Sequence, residues 1–185
     1  IPETGRGDRL YSNSILALDP DTGEILWHFA HNPLESYDHD SPYENILTDV
    51  EIDGQVHKAL IHTGKSGWGI VLDRESGDYL SAFNFGYNNY IESYGDDGRP
   101  VYIEEMLPWP PEDYLDPGAS INVCPDGHGV RNQGATSYSD KTGLLYINVA
   151  ETCVDMTWVS TDITPGEWNS SVIGVRSSNL TKVPD

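Results

Sequence analysis

Basic residues are scarce. Of 185 residues only 10 are Lys or Arg, against 30 Asp or Glu, a formal net charge of −20. Phosphate contacts need Lys and Arg, so this balance excludes nucleic acid as the main partner. It also argues against an anionic membrane surface. It suits a cation ligand, a basic protein partner or a saline environment, and charge does not choose among these. No run approaches the roughly 18 consecutive apolar residues of a membrane-spanning helix. Cysteine is nearly absent: Cys124 and Cys153 are the only two, and neither stands in a CxxC pair, which excludes a four-thiolate zinc site. They read as one disulfide, which would imply an oxidising compartment, or as two separate core thiols. The first eight residues, Ile1 to Asp8, carry neither an initiating Met nor a charged start followed by an apolar run. They read as a loop, and the chain as a mature piece or a fragment.

What the chain has is aromatic area and turns. Eleven Tyr and five Trp offset a hydrophobic content of only 37%, enough buried area for one ordinary ordered domain. Eighteen Gly and twelve Pro predict many turns and few long helices. The run Leu10 to Phe29 reads as strand, tight turn at Asp19-Pro20-Asp21-Thr22-Gly23, strand. The same unit returns from Ile70 to Leu80 around Asp73-Arg74-Glu75-Ser76-Gly77, and from Thr136 to Val149 around Ser139-Asp140-Lys141-Thr142-Gly143. Recurrence of one strand-turn-strand unit at a spacing of about 60 residues predicts propeller blades; a β-sandwich would not need the turn to recur. Val50 to Ile61 predicts a hairpin turning at Asp53-Gly54. Residues 94–116, rich in Pro, Gly and acid, read as a long surface connection, and 157–185 shows no closing strand.

The segment His31 to Asn45 is irregular and acidic, with His31, Glu35, Asp38, His39 and Asp40 within ten residues. If extended, it places Asp38 and Asp40 on one face, roughly 7 Å apart. Such a pair repels unless a cation sits between the carboxylates or one takes a proton. A proton-abstracting base beside a hard metal ion needs this arrangement. Taken alone, the same residues favour a solvated acidic loop. A zinc site from His28, His31, Asp38, His39 and Asp40 is disfavoured, because His28 and His31 would point to opposite faces of a strand. His62-Thr63-Gly64-Lys65-Ser66-Gly67 contains the tail of a phosphate-binding loop, but Ala59 occupies the first glycine position and GWGIVLD follows as a strand. Without a helix N-terminus there is no anion cradle. Lys65 remains a candidate donor or an exposed loop lysine.

Together the pieces resemble the quinoprotein alcohol dehydrogenases, the methanol and ethanol dehydrogenase family. Ala17-x-Asp19-x-x-Thr22-Gly23-x-x-x-Trp27 is similar to the family's blade motif, whose tryptophan locks neighbouring blades. LYSNSILALDPDTGEILWHF, then Asn32-Pro33 and Tyr37-Asp38-His39-Asp40, resembles the segment leading to the catalytic aspartate. The family usually has Trp-Asp-Tyr there; here the aromatics differ. Lys65-Ser66-Gly67 resembles the Arg/Lys-Asn-Gly that contacts the quinone, Asn132-Gln133-Gly134 resembles another cofactor contact, and Cys124 with Cys153 resembles a family disulfide.

The resemblance implies an all-β fold, about three blades of an eight-bladed β-propeller, with residues 1–185 a fragment of a longer propeller domain. It implies a periplasmic enzyme oxidising a primary alcohol to an aldehyde with pyrroloquinoline quinone (PQQ), passing electrons to a c-type cytochrome. The implied roles are Asp38 as catalytic base, Lys65 and Asn132 as cofactor contacts, and Asp38 and Asp40 as metal ligands. Asp40 marks lanthanide-using members; Ca2+ is the other metal of the family. The remaining ligands and quinone-stacking residues would lie in other blades, so the fragment alone should be inactive. Two rivals are a non-catalytic propeller serving as a protein-binding module and a calcium-stabilised structural sheet. The first has no reason to hold Asp38, Lys65 and Asn132 together; the second predicts metal binding without quinone.

Overall fold

A computed structural model describes residues 8–106, 118–159, 162, 164–167 and 172–177. The expectations placed on residues 1–7, on 107–117 and on most of 160–185 lie outside these. Thirteen strands run in chain order through the described residues: β1 Ser14–Leu18, β2 Ile25–Ala30, β3 Asn45–Ile52, β4 Gln55–Thr63, β5 Trp68–Asp73, β6 Tyr79–Asn84, β7 Ile91–Tyr94, β8 Pro100–Tyr102, β9 Ser120–Val123, β10 Ser137–Ser139, β11 Leu144–Tyr146, β12 Cys153–Trp158 and β13 Val172–Ser177. One 3-10 turn, Glu104–Met106, is the only helical element among them. The fold is all-β and is part of a propeller. One blade is complete, an antiparallel sheet of order β3-β4-β5-β6. Around it stand the pairs β1-β2, β7-β8 and β10-β11 and the three-stranded sheet β13-β12-β9.

The three repeated turns share one device. Gly23 N–H donates to the Asp19 carbonyl, Gly77 to Asp73 and Gly143 to Ser139, each at 2.8 Å. All three glycines have positive φ, at 76°, 80° and 67°, where a Cβ is disfavoured. Asp19 Oδ1 accepts from Asp21 and Thr22 N–H, and Asp73 Oδ1 accepts from Glu75 and Ser76 N–H. This is the Asx-turn that makes aspartate a turn residue. Asp53 and Gly54, with φ of 51° and 78°, close the β3–β4 hairpin as expected.

The middle strands β4 and β5 explain the core. Residues 59–63 and 69–72 are buried without alternation, as strands covered on both faces must be. Leu60, Ile70 and Leu72 pack toward Ile15, Trp27 and Phe29 of the β1-β2 pair. Ala59, Ile61 and Val71 face the other way, toward Ile46, Val50 and Leu145. Trp27 is the seam between the first repeat and the second: a Cβ on Gly77 would lie 2.6 Å from its ring. The indole therefore rests on the bare backbone of the next repeat's turn.

The structure corrects two expectations. Residues 94–116 are not a surface connection throughout. β7 and β8 form a hairpin around Gly95-Asp96-Asp97-Gly98, and Ile91, Tyr94, Tyr102 and Met106 enter the core with Tyr37 and Tyr90. The acid and glycine there belong to a tight turn, with Asp97 Oδ1 accepting from Arg99 N–H. Beyond Thr157 a strand does follow: β13 pairs with β12, which pairs with β9.

Candidate active site

The acidic segment is not extended. Asp38 has φ 67°, in the left-handed region, which costs a non-glycine residue about 1–2 kcal/mol. The Glu35 carboxylate stabilises the bend from within, accepting from Tyr37 N–H and, at 2.9 Å, from His39 N–H. Within this bend the Asp38 and Asp40 carboxyl groups are near enough to act on each other's protonation. The left-handed backbone at Asp38 replaces the expected extended, same-face arrangement. Partial burial pushes the Asp38 carboxyl above its ordinary range against the pull of Lys65, and the Asp40 charge adds to the rise. Asp40 goes the other way, because its hydrogen bond with Lys65 favours the carboxylate. Two like groups with affinities pushed apart are the mark of an acid–base pair.

Lys65 lies in the turn Gly64-Lys65-Ser66-Gly67 between β4 and β5 and is 7% exposed, not a solvated loop lysine. Its ammonium donates to Asp40 Oδ1 at 2.7 Å and to the Asp38 carbonyl at 2.8 Å. Lys65 N–H donates to Ser41 Oγ, and its carbonyl accepts from Val130 N–H. Gly129, φ 77°, passes so close that a Cβ there would lie 2.5 Å from Lys65 Cβ. Only glycine fits between this lysine and the loop that carries Asn132.

Asn132 is half-buried and donates from Nδ2 to the His128 carbonyl at 2.8 Å. With Asp40, Pro42, Tyr43, Glu44, Lys65 and Gln133 it lines an open cleft of about 430 Å³. Lys65 thus holds the Asp40 carboxylate and the Asp38 backbone carbonyl, and Asn132 faces the same cleft as Asp40 and Lys65.

Sequence reasoning did not find the cleft's support. Arg131 is 2% exposed. Its guanidinium donates to Thr63 Oγ1 at 2.7 Å, to the Gly134 carbonyl at 2.9 Å and to Glu44 at 3.0–3.1 Å. The Tyr43 ring lies 4.4 Å from its Cζ. One buried cation therefore joins the ends of all three segments that carry Asp40, Lys65 and Asn132. Burial alone would raise the Glu44 carboxyl; hydrogen bonds from Arg131 and Thr136 N–H outweigh it and bring it down to about 2. The only sequence signal was an arginine beside Asn132 in a chain poor in basic residues.

The donors fit a hard cation. Two neighbouring carboxyl groups, only Asp40 of them paired with an ammonium, leave a net negative cluster that a metal ion bound through oxygens would satisfy. Zinc is not supported. Both ring nitrogens of His39 are engaged elsewhere, and His28 is exposed while His31 is buried. Among the described residues no group of three His, Cys, Asp or Glu side chains comes together, so this segment offers part of a metal site at most. The disulfide pairs Cys124 with Cys153 at a Cα separation of 4.4 Å.

Comparison with known proteins points the same way. A family model described as the β-propeller domain of glucose/ethanol/alcohol dehydrogenase matches residues 3–84. The chain is 33% identical over 177 residues to 1-butanol dehydrogenase (cytochrome c) of Thauera butanivorans, covering 90% of this chain and 24% of that protein. It is 32% identical to the lanthanide-dependent methanol dehydrogenase of Methylacidiphilum fumariolicum, over 86% of this chain and 25% of that one. Among solved structures, a europium-containing methanol dehydrogenase superposes with a TM-score of 0.78 at 30% identity, covering 92% of this chain and 29% of that one. The quinohemoprotein alcohol dehydrogenase of Comamonas testosteroni gives 0.77 at 30% identity, over 96% and 26%. The chain spans about a quarter of the length of the curated relatives. It belongs to the PQQ-dependent, or quinoprotein, alcohol dehydrogenase family, as part of that family's β-propeller.

Proposed function

We propose that residues 1–185 are a section of the propeller domain of a longer PQQ-dependent alcohol dehydrogenase, and that the cleft between Asp40, Lys65 and Asn132 is one side of its active site. The observation that carries this reading is the contact of Lys65 Nζ with both Asp40 Oδ1 and the Asp38 carbonyl at the mouth of that cleft. A binding module has no use for a buried ammonium that holds both a carboxylate and the backbone of the neighbouring aspartate at the mouth of a cleft.

When bound, PQQ supplies a hydride-accepting quinone carbonyl and the metal ion supplies Lewis acidity. This chain supplies the proton chemistry and the positioning. Asp38 takes the hydroxyl proton of a primary alcohol, and its raised proton affinity suits a general base. Lys65 presents positive charge where negative charge develops on a ligand in the cleft. Asn132 orients the cofactor through its side-chain amide. Asp38 and Asp40 would hold the metal, a lanthanide ion or Ca2+, with further ligands from other blades.

The named relatives extend the reading: one is a cytochrome c-linked butanol dehydrogenase and another depends on a lanthanide. Electrons would pass to a c-type cytochrome, and an acidic surface would steer a basic partner. A periplasmic location agrees with the disulfide, and no helix among the described residues is long and apolar enough to cross a membrane. The test is alcohol oxidation by the full-length protein with PQQ and metal, comparing Asp38→Asn and Lys65→Met with wild type. Both variants should lose turnover by about 100-fold or more.

A further inference from the structure

His39 is fully enclosed, at 1% exposure, although it stands between two exposed aspartates. Its ring points away from the cleft into the core. Nε2 lies 3.2 Å from the Pro125 carbonyl and 3.1 Å from the Asp126 carbonyl. Carbonyl oxygens only accept, so Nε2 carries the proton and donates. Nδ1 of a neutral ring must then accept, and the group facing it at 2.9 Å is the Tyr90 hydroxyl. With its proton given to His39, the Tyr90 oxygen accepts from Asn32 Nδ2 at 3.4 Å. Asn32 Oδ1 in turn accepts from the Tyr102 hydroxyl at 2.8 Å, and the Tyr102 oxygen accepts from Leu34 N–H at 3.1 Å. Every donor in this chain has one direction to point. It runs from the β8 end through the core to the loop that follows Cys124.

We propose that His39 is a positioning residue: its imidazole, donating from Nε2, pegs the Asp38–Asp40 bend to the loop tied by the Cys124–Cys153 disulfide and so fixes where both carboxylates point. This rests on the function proposed above and deepens it. The left-handed backbone at Asp38 needs an anchor. Glu35 grips the bend from inside and Lys65 from the cleft side, Tyr37 enters the core ahead of it, and His39, between the two aspartates, ties it to residues 125–126. The same loop closes against the carboxylate itself, since an ideal Cβ on Gly127 would lie 3.3 Å from Asp38 Oδ2. The bend and residues 125–127 therefore form one packed unit, with the peg in its middle.

The test uses metal-free full-length protein titrated with Tb3+ and followed by its luminescence, alongside steady-state kinetics of the PQQ-loaded enzyme. His39→Phe fills the space but removes all three ring hydrogen bonds. It should weaken Tb3+ binding by about 10-fold and lower kcat, with KM for the alcohol within about twofold. His39→Gln, which keeps an N–H for the two carbonyls, should recover Tb3+ affinity to within about threefold of wild type. Tyr90→Phe, which removes the donor to Nδ1, should show an intermediate loss, and it decides the matter if His39→Phe does not fold. Unchanged Tb3+ affinity and kcat in His39→Phe, whatever its Tm, would make His39 a packing residue and overturn the inference. So would a His39→Gln no better than His39→Phe. A wild-type protein that neither binds Tb3+ nor oxidises alcohol with PQQ removes the proposed function, and this inference with it.

Discussion

Lys65 Nζ lies 2.7 Å from Asp40 Oδ1, a buried ammonium against a carboxylate that is more than half exposed. The pairing favours the Asp40 carboxylate as the charged form and leaves its outer side open to the cleft. A metal held by Asp38 and Asp40 would meet two negative groups offset by one positive one. Attraction scales with the product of charges, so the second carboxylate favours a trivalent ion over Ca2+. Asp40→Ala should cut lanthanide-supported turnover by about 10-fold or more and calcium-supported turnover much less. Reconstitution of the full-length variant with each metal measures the two losses. Equal losses would make Asp40 a structural neighbour of the base.

Gly77 and Gly143 occupy the same turn position with φ of 80° and 67°, but only Gly77 is covered, by the Trp27 ring. Alanine at Gly143 meets nothing within 4 Å and should cost only the left-handed penalty, about 1–2 kcal/mol. Alanine at Gly77 adds a clash with the indole and should cost about 2–4 kcal/mol. Denaturation of the full-length protein and both variants gives the difference. Equal costs would mean that Trp27 does not seal the seam.

Cys124 and Cys153 are 29 residues apart in sequence. Closing a loop of that size stabilises the fold by about 3–4 kcal/mol in the chain-entropy model. The Cys124→Ser/Cys153→Ser double variant should unfold at correspondingly lower denaturant. An unchanged midpoint would show that the Asn89 side chain and backbone, which bracket Cys124 through its N–H and carbonyl, hold the loop unaided.

What could be read from the sequence was local. Asp19, Asp73 and Ser139 each close their turn onto a glycine four residues on, so the repeat was visible in the string, and Asp53-Gly54 likewise marked its hairpin. The strand after Lys65 followed from GWGIVLD. Properties set by partners far along the chain were hidden. The bend at Asp38 is held by Glu35 and Lys65, and β7–β8 is ordered by Tyr90 and Tyr102 reaching Asn32. A turn rich in acid and glycine gave no sign that its flanks were core. Arg131 looked like an ordinary polar residue and His39 like a member of the acidic cluster or a weak zinc candidate, because their partners are 68 and 87 residues away. Family resemblance supplied Asp38, Lys65 and Asn132 as candidates, yet it did not indicate what supports them.

His62 gives a pH prediction. Burial, helped by the Arg131 charge, holds its imidazole down to about 4, against an ordinary 6.5. The unfolded chain takes up this proton near pH 6.5 and the folded one only near pH 4. Between these values the unfolded state binds more protons, so stability is full above pH 6.5 and falls as pH drops toward 4. The slope from this one group approaches about 1.4 kcal/mol per pH unit. His62→Gln should flatten the curve by about one proton across that window. Glu44 acts lower, between its ordinary 4.5 and about 2, so the two effects separate. A His62→Gln curve parallel to wild type over pH 4–6.5 would contradict the assignment.

The central claim is that this segment carries the base of a PQQ-dependent alcohol oxidation. The most direct measurement is dye-linked oxidation of a primary alcohol by metal-free, PQQ-free full-length protein, with PQQ and a lanthanide or Ca2+ added back together and separately. Turnover should appear only with both additions, and Asp38→Asn should reduce it by about 100-fold or more while PQQ still binds. Turnover without PQQ, or an Asp38→Asn variant as active as wild type, would contradict the account.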